Sequence, residues 1–517
     1  MLTLTDLLQR TAQCYGARIA IHDPSGNLTW QAYLARVARS AGMLRALGMQ
    51  PGDRFATLSR NCLRHAELLL AGYWTGIVPV PLNFRLAAPE VAAMLEDAAC
   101  QGVFVDEAFL PLFEHPRLMP WKRRAIAMGP RTGTDLPQLD ALLADAEPIA
   151  MREAAEDDDA LLLYTGGTTG RSKGVRLTHR NIIANALQLA RTMAAGEDDI
   201  YLHVSPMFHS TDLKATVVTM FGGGHVYLKD ASPALILETI ERYGVTIASL
   251  VPTMIIRILR EAQVERYDLR RLRLISYGTA PIDEQWLRKA MQAFASTGFH
   301  QCYGLTETSP YLAILDEAAH RRAVTDRPDL LRAAGRALPG TGVRIVDREG
   351  VDVRPGGIGE IAVTGPQISK GYLNRPEEQA NAFRRDWFYT GDIGRMDDEG
   401  YLHVLDRKKE MVITGGENVY TREVETVLLQ HPDIAEAAVL GVPDADYGEA
   451  LVAVLVCANG KRAQADDIIA FCRGRLGGYK IPRQFMYVVE LPRTPLGKVQ
   501  KHELRRAYLT RATRENG

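Results

Sequence analysis

The residues best equipped for chemistry lie in one run, Tyr-Thr-Gly-Gly-Thr-Thr-Gly-Arg-Ser-Lys-Gly, at positions 164–174. Gly166, Gly167 and Gly170 let the backbone turn its N–H groups toward one point, because glycine tolerates unusual dihedrals and puts no side chain in the way. Thr165, Thr168 and Thr169 add hydroxyl donors, and Lys173 adds positive charge. Such a loop suits the terminal phosphates of a nucleotide. It is not a Walker A loop, which needs Gly-Lys followed by Ser or Thr; here Lys173 stands between Ser172 and Gly174. Taken alone, these residues also read as a flexible surface loop.

Four further groupings have chemical capacity and a bland alternative. Tyr303-Gly304-Leu305-Thr306-Glu307-Thr308 offers an aromatic ring to stack a base, a glycine to admit a ligand and a carboxylate to hold a metal. It also reads as a strand end with a surface glutamate. Asp392, after Tyr389-Thr390-Gly391, can accept hydrogen bonds from a ribose or cap a turn. Asp406-Arg407-Lys408-Lys409-Glu410 is a charge run whose ordinary place is a solvated face. Gly415-Gly416 marks a turn, and residues 492–498 form a proline-stiffened loop that presents Lys498.

The order of these pieces is more telling than any one of them. The sequence resembles the adenylate-forming superfamily of acyl-CoA synthetases, firefly-type luciferases and nonribosomal peptide synthetase adenylation domains. The resemblance runs over essentially the whole chain, through residues 164–174, 205–209, 277–281, 303–308, 335–336, 339–340, 359–360, 389–392, 406–410, 416–418 and 492–498. It implies an α/β fold. Residues 1–408 are then a large N-terminal domain of layered α/β subdomains plus a β-barrel-like subdomain. Residues 409–517 are a small, mobile α+β C-terminal domain that carries the catalytic lysine.

The activity implied is that of an ATP-dependent, AMP-forming acyl-CoA synthetase that uses Mg2+ and coenzyme A. By the same resemblance, Thr165, Gly166, Gly167, Thr168, Thr169, Gly170 and Lys173 hold the β- and γ-phosphates. Glu307 with Thr165 positions magnesium. Tyr303, beside Gly304 and Thr306, stacks on adenine, and Asp392 and Arg407 bind the ribose. Lys498 approaches the reacting carboxylate and the α-phosphate. His209, Lys214, Gly278 and Gly304 border the acyl pocket, Lys409 matches the hinge position, and Gly416 faces the site for thiol transfer. The alternatives are an enzyme that loads a separate acyl carrier protein and a nucleotide-binding regulator without catalysis.

Departures from the family pattern narrow the expectations. Gly166 stands where serine is common, Ser172 where proline is, and Leu496 where a small hydroxyl residue is. Asp212 and Lys214 are charged where fatty-acid-activating relatives are small or apolar. Either one of them meets a polar substituent on the substrate, or the two form a charge pair at the pocket rim.

The elements that must position these residues follow from periodicity. Residues 4–15, 33–47 and 64–75 pattern as helices, with Gly16, Gly48 and Gly76 as breakers. Residues 19–21 and 161–164 read as short apolar strands, and 78–82 as extended chain. A helix is expected over 177–190 directly after the glycine–threonine loop. Strands separated by helices predict a layered domain with parallel strands. Hairpin character marks 341–364, and 401–409 reads as the linker between the two domains. Beyond it, helices are expected over 419–430, 466–476 and 503–511, and strands over 434–442 and 451–457.

Composition excludes several classes. With 61 Lys plus Arg against 62 Asp plus Glu in 517 residues, the chain carries no overall basic footprint for nucleic acid. Cys14, Cys62, Cys100, Cys302, Cys457 and Cys472 are scattered without a Cys-x-x-Cys pair, which argues against a zinc site or a disulfide framework. There is no signal-peptide pattern at the start and no apolar run of ~18 residues, so a cytoplasmic location without a transmembrane segment is expected.

Overall fold

A computed structural model describes residues 2–129, 135–165, 172–278, 282, 284–415, 417–444, 446–458, 462–473, 475–494 and 499–515, with side chains to residue 511. The chain falls into two compact units. One comprises Met1–Gly342 and Val363–Phe388, the other Val343–Ala362 and Tyr389–Gly517.

The first unit is built on parallel strands. In one sheet Ile19–Ile21, Gly224–Tyr227, Ile200–His203, Ile247–Leu250, Leu274–Gly278 and Gly298–Tyr303 run parallel, neighbour to neighbour. A second sheet orders Val78–Pro81, Arg54–Leu58, Gly102–Asp106 and Ala125–Met128, again all parallel. Strands such as Ile247–Leu250 and Gly102–Asp106 are buried at every position, as expected where helices cover both faces of a parallel sheet. Pro79 and Pro81 lack N–H donors and are accommodated because Val78–Pro81 is the edge strand.

Helices supply the crossovers that parallel strands require. Leu63–Thr75 links Arg54–Leu58 to Val78–Pro81 and ends on Gly76 at φ 73°. Pro233–Tyr243 leads to Ile247–Leu250; the Ser232 hydroxyl caps its start and Gly244 at φ 61° its end. Leu4–Tyr15 is capped by Thr3, whose hydroxyl accepts the Asp6 N–H. Trp30–Ala46 starts on Thr29, three residues before the expected position.

Two expectations need correction. The glycine–threonine loop does not open directly into a helix. Asp159–Thr165 pairs antiparallel with Lys173–Thr178, Thr165 opposite Lys173, and only then does the helix His179–Met193 begin. Residues 401–409 are not a free linker, because Tyr401–Arg407 is a strand paired with Trp387–Met396. The chain turns only at residues 408–410.

In the second unit Ile434–Asp444 and Gly448–Cys457 form a long hairpin, joined in parallel by Gln484–Tyr487. Thr421–Leu428 and Ala465–Cys472 contribute Val424, Leu428, Ile468 and Cys472 to its core. All six cysteines are free. No helix among the described residues is long and apolar enough to cross a membrane.

Several imidazoles of the first unit are buried or, for His209, half-buried, and held neutral. Burial pushes His65, His179, His209, His300 and His320 down to about 4. His320 is fixed between the Asp316 carbonyl, 2.8 Å from Nδ1, and the Tyr277 hydroxyl, 2.8 Å from Nε2. In the unfolded chain these rings take up protons near 6.5, so stability is lost as pH falls from about 6.5 toward 4. Urea unfolding between pH 7 and 4.5 is expected to show a slope of roughly two or more protons near pH 5. His320→Gln should lower that slope by about one proton.

Candidate active site

The hairpin Asp159–Thr165/Lys173–Thr178 holds the two ends of the glycine–threonine loop side by side, and a third short strand, Gly371–Tyr372, completes it. Tyr372 is brought there by the preceding residues. Asn181, in the helix after the hairpin, donates from Nδ2 to the carbonyls of Pro366 (2.9 Å) and Ile368 (2.7 Å). Gly371 adopts φ 108°, and a Cβ there would lie 1.8 Å from Gln379 Oε1, the atom that accepts the Tyr372 N–H. The Tyr372 ring then lies under Lys173, whose Nζ is 5.1 Å from the ring centroid. Its hydroxyl donates to Glu307 Oε1 at 2.7 Å.

Glu307 sits in the short turn Thr306–Thr308, directly after the strand Gly298–Tyr303. The Thr308 hydroxyl accepts the Leu305 N–H and donates to the Pro310 carbonyl, closing that turn. The Glu307 carbonyl accepts the Ser369 N–H at 2.8 Å. Glu307 is only 8% exposed. One carboxylate oxygen is anchored by Tyr372; the other has no hydrogen bond among the described residues. A carboxylate oriented through one oxygen and open at the other is the kind of ligand a hard divalent cation takes. The residues therefore fit magnesium.

Around these groups the backbone is packed too closely for side chains. A Cβ on Gly304 would come 2.0 Å from the Pro310 carbonyl oxygen, and one on Gly278 would come 2.3 Å from that of Cys302. Tyr303 ends its strand half-buried. Thr306 is tied to Ser210 through their hydroxyls at 3.3 Å, which brings the segment that carries His209 to the same place. His209 Nδ1 accepts the Thr211 N–H at 3.3 Å, so the ring hydrogen sits on Nε2.

Lys214 and Asp212 do not form a charge pair. Asp212 is engaged by His203 Nδ1 at 2.9 and 3.0 Å, with His225 behind it at 3.0 Å. Lys214 bonds instead to Ser276 Oγ at 2.6 Å.

In the second unit, Asp392 and Arg407 are cross-strand neighbours joined at 2.8 Å, Arg407 Nε to Asp392 Oδ1. Lys408 Nζ reaches Glu360 at 2.7 Å, while Lys409 is exposed in the turn that follows. Asp406 is buried and accepts from the Thr421 hydroxyl at 2.9 Å. Lys501 binds that same hydroxyl at 2.6 Å, together with Glu425 (2.7 Å) and Glu410 (3.3 Å). The loop that carries Lys498 is pinned at its base, where Arg493 bridges Val499 and the Gln500 N–H reaches the Pro492 carbonyl at 2.8 Å. Lys498 itself, Gly416, and Gly166, Gly167, Thr168, Thr169 and Gly170 lie outside the described residues.

Comparison with known proteins agrees with this geometry. Residues 8–373 match the model of the AMP-binding enzymes, and residues 423–498 match that of the AMP-binding enzyme C-terminal domain. The chain belongs to the AMP-binding enzymes, the adenylate-forming superfamily. It is 38% identical to a feruloyl-CoA synthase of Amycolatopsis sp., covering 93% of this chain and 94% of that protein. It is 34% identical to a fatty acid–[acyl-carrier-protein] ligase of Streptomyces coeruleorubidus, covering 92% and 91%. The structure of o-succinylbenzoate CoA synthetase from Bacillus subtilis with its acyl-adenylate intermediate superposes with a TM-score of 0.84, at 31% identity and 96% and 97% coverage.

Sequence reasoning missed Tyr372 and Lys501. Each works through partners far away in the chain, and only the tyrosine's place after Gly371 hinted at a fixed orientation. Tyr372→Phe should leave thermal stability within about 1 kcal/mol and weaken magnesium–ATP binding roughly tenfold. Calorimetric titration of both forms with ATP, with and without magnesium, reads this; equal affinities would remove Tyr372 from the site.

Proposed function

We propose that the protein is an acid–thiol ligase that makes an acyl-adenylate from a carboxylic acid and ATP, then transfers the acyl group to coenzyme A. The observation that carries the reading is the Lys173–Tyr372–Glu307 contact, which joins the base of the glycine–threonine loop to a buried carboxylate. Similarity over more than nine-tenths of the chain to acid–CoA ligases supports it.

In this reading Thr165, Lys173 and the loop between them bind the β- and γ-phosphates. Glu307 and Thr165 would hold magnesium, which supplies positive charge to offset that of the phosphates. Tyr303 stacks on adenine, and Asp392 and Arg407 take the ribose hydroxyls. An oxygen of the substrate carboxylate attacks the α-phosphorus as the bond to the β-phosphate oxygen breaks, releasing pyrophosphate. The coenzyme A sulfur then attacks the acyl carbon and AMP leaves. The Lys498 ammonium stabilises charge in the first step without exchanging protons. Lys409 serves as the hinge and Gly416 borders the thiol path, which places the functional division at residues 408 and 409. His209, neutral at ordinary pH, borders the acyl pocket with Gly278 and Gly304.

A carrier protein as acceptor is the second reading, supported by the relative that is a carrier-protein ligase. Pyrophosphate release that depends on added acid separates a ligase from a nucleotide-binding regulator. Mass analysis of the product with coenzyme A or with a carrier protein decides the acceptor. Lys498→Ala should lower acid-dependent pyrophosphate release by about 10²–10³ while ATP binding is retained. Near-normal release would remove Lys498 from that role.

A further inference from the structure

Lys214 is placed as no ordinary structural lysine is. It is 2% exposed, among the least accessible large side chains of the chain. It begins the short helix Ala215–Met220 from below and follows Ser210 and Thr211 in a 3-10 turn. An ammonium carries three donors. Among the described residues, Lys214 Nζ has one hydrogen bond, to Ser276 Oγ at 2.6 Å, and lies 4.9 Å from the centroid of the Tyr311 ring. No carboxylate among the described residues is within ion-pair distance. The nearest candidate in sequence, Asp212, is turned onto His203, and the His203–His225–Thr219 chain behind it (3.0 and 3.1 Å) keeps it there.

Position fixes what this cation faces. Ser276 and Gly278 are two apart in one strand, so the Ser276 side chain lies on the face of the sheet that a side chain at 278 would share. The spacing puts Ser276 roughly 7 Å below the strand end. In doubly wound sheets ligands bind at the carboxyl ends of the strands, where Gly278, Gly304 and His209 lie. Lys214, bonded to Ser276, therefore stands beneath that end.

We infer that Lys214 is a specificity-determining residue that selects carboxylic acids bearing a second oxygen acceptor, a phenolic oxygen or another carboxylate, at the end remote from the reacting carboxyl. This rests on the ligase reading above. Burial holds the Lys214 ammonium below the ordinary lysine value, and an incoming acceptor offsets that penalty by engaging the free donors. A substrate without the oxygen leaves a desolvated cation with a neutral hydroxyl and a ring face as its partners.

Matched acids test this in the full-length enzyme by ATP–pyrophosphate exchange: 4-hydroxycinnamate against cinnamate, and heptanedioate against heptanoate. The wild type should prefer the oxygen-bearing member of at least one pair by about 100-fold or more in kcat/KM, as a site built for a buried hydrogen bond does. Preference in the first pair identifies a phenolic acceptor, and in the second a carboxylate. Lys214→Met should collapse the preferred ratio to within about threefold, and Lys214→Gln should keep part of a phenolic preference but lose a carboxylate preference. Exchange with both cinnamate and heptanoate at least as fast as with their partners, so that neither pair shows the preference, overturns the inference while leaving the ligase reading intact. An undiminished ratio in Lys214→Met, or in Lys214→Gln for the dicarboxylate, overturns it too. If Lys214→Met does not fold, the wild-type ratios and Lys214→Gln decide. Absence of exchange with every acid defeats the ligase reading itself.

Discussion

Desolvation of the parallel strands is the constraint on which the first unit depends. Strands such as Ile247–Leu250 and Gly102–Asp106 are buried at every position, so their faces have no room for an exposed polar group. The polar groups of the candidate site stand where strands end. Glu307 follows Gly298–Tyr303, Gly278 ends Leu274–Gly278, and the glycine–threonine loop leaves Asp159–Thr165. The two glycines that a Cβ would drive into carbonyl oxygens, Gly278 and Gly304, belong to those same ends. Polar residues inside the strands, such as Ser276 and His203, are buried and paired, so the open chemistry gathers at the ends.

Once polar groups are crowded into so small a region, they must be oriented by contacts from distant parts of the chain. Tyr372 shows how this is done. Its strand is held by Asn181 through the carbonyls of Pro366 and Ile368, and its hydroxyl then fixes one oxygen of Glu307. Lys501 does similar work in the second unit, where it gathers Glu410, Glu425 and the Thr421 hydroxyl beside the buried Asp406. A lysine with two carboxylates at 2.7 and 3.3 Å has its desolvation offset by opposite charge. That arrangement is structural in character.

Most elements were legible because their signals are local. Thr3 and Gly16 bracket Leu4–Tyr15 as cap and breaker, and the apolar run at 161–164 became the core of Asp159–Thr165. The hairpin after the glycine–threonine loop was not legible. Lys173–Thr178 is six residues whose buried and half-buried positions do not alternate cleanly, and it runs straight into a helix capped by Thr178. Tyr401–Arg407 was not legible as a strand because its last two residues, Asp406 and Arg407, open a charge run, and its pairing with Trp387–Met396 shifts register between Ile393 and Gly394. The residues expected to bind the nucleotide were proposed through family resemblance, since order and spacing survive in sequence. Tyr372 was not, since its importance lies in a contact with Glu307 that no local pattern encodes.

Asp212 and Lys214 show why charge alone is an ambiguous signal in sequence. Two opposite charges two residues apart invite the reading of a mutual pair, yet in a 3-10 turn their side chains diverge, and each takes the partner its own direction offers. Asp212 finds an imidazole at 2.9 Å, whereas Lys214 finds a hydroxyl at 2.6 Å. The serine hydroxyl that faces Lys214 accepts a hydrogen bond but brings no negative charge. The contrast with Lys501 is thus one of electrostatic completeness. Lys501 is satisfied by the protein itself, and Lys214 is satisfied only in part, which marks it as a site where a ligand supplies the missing acceptor.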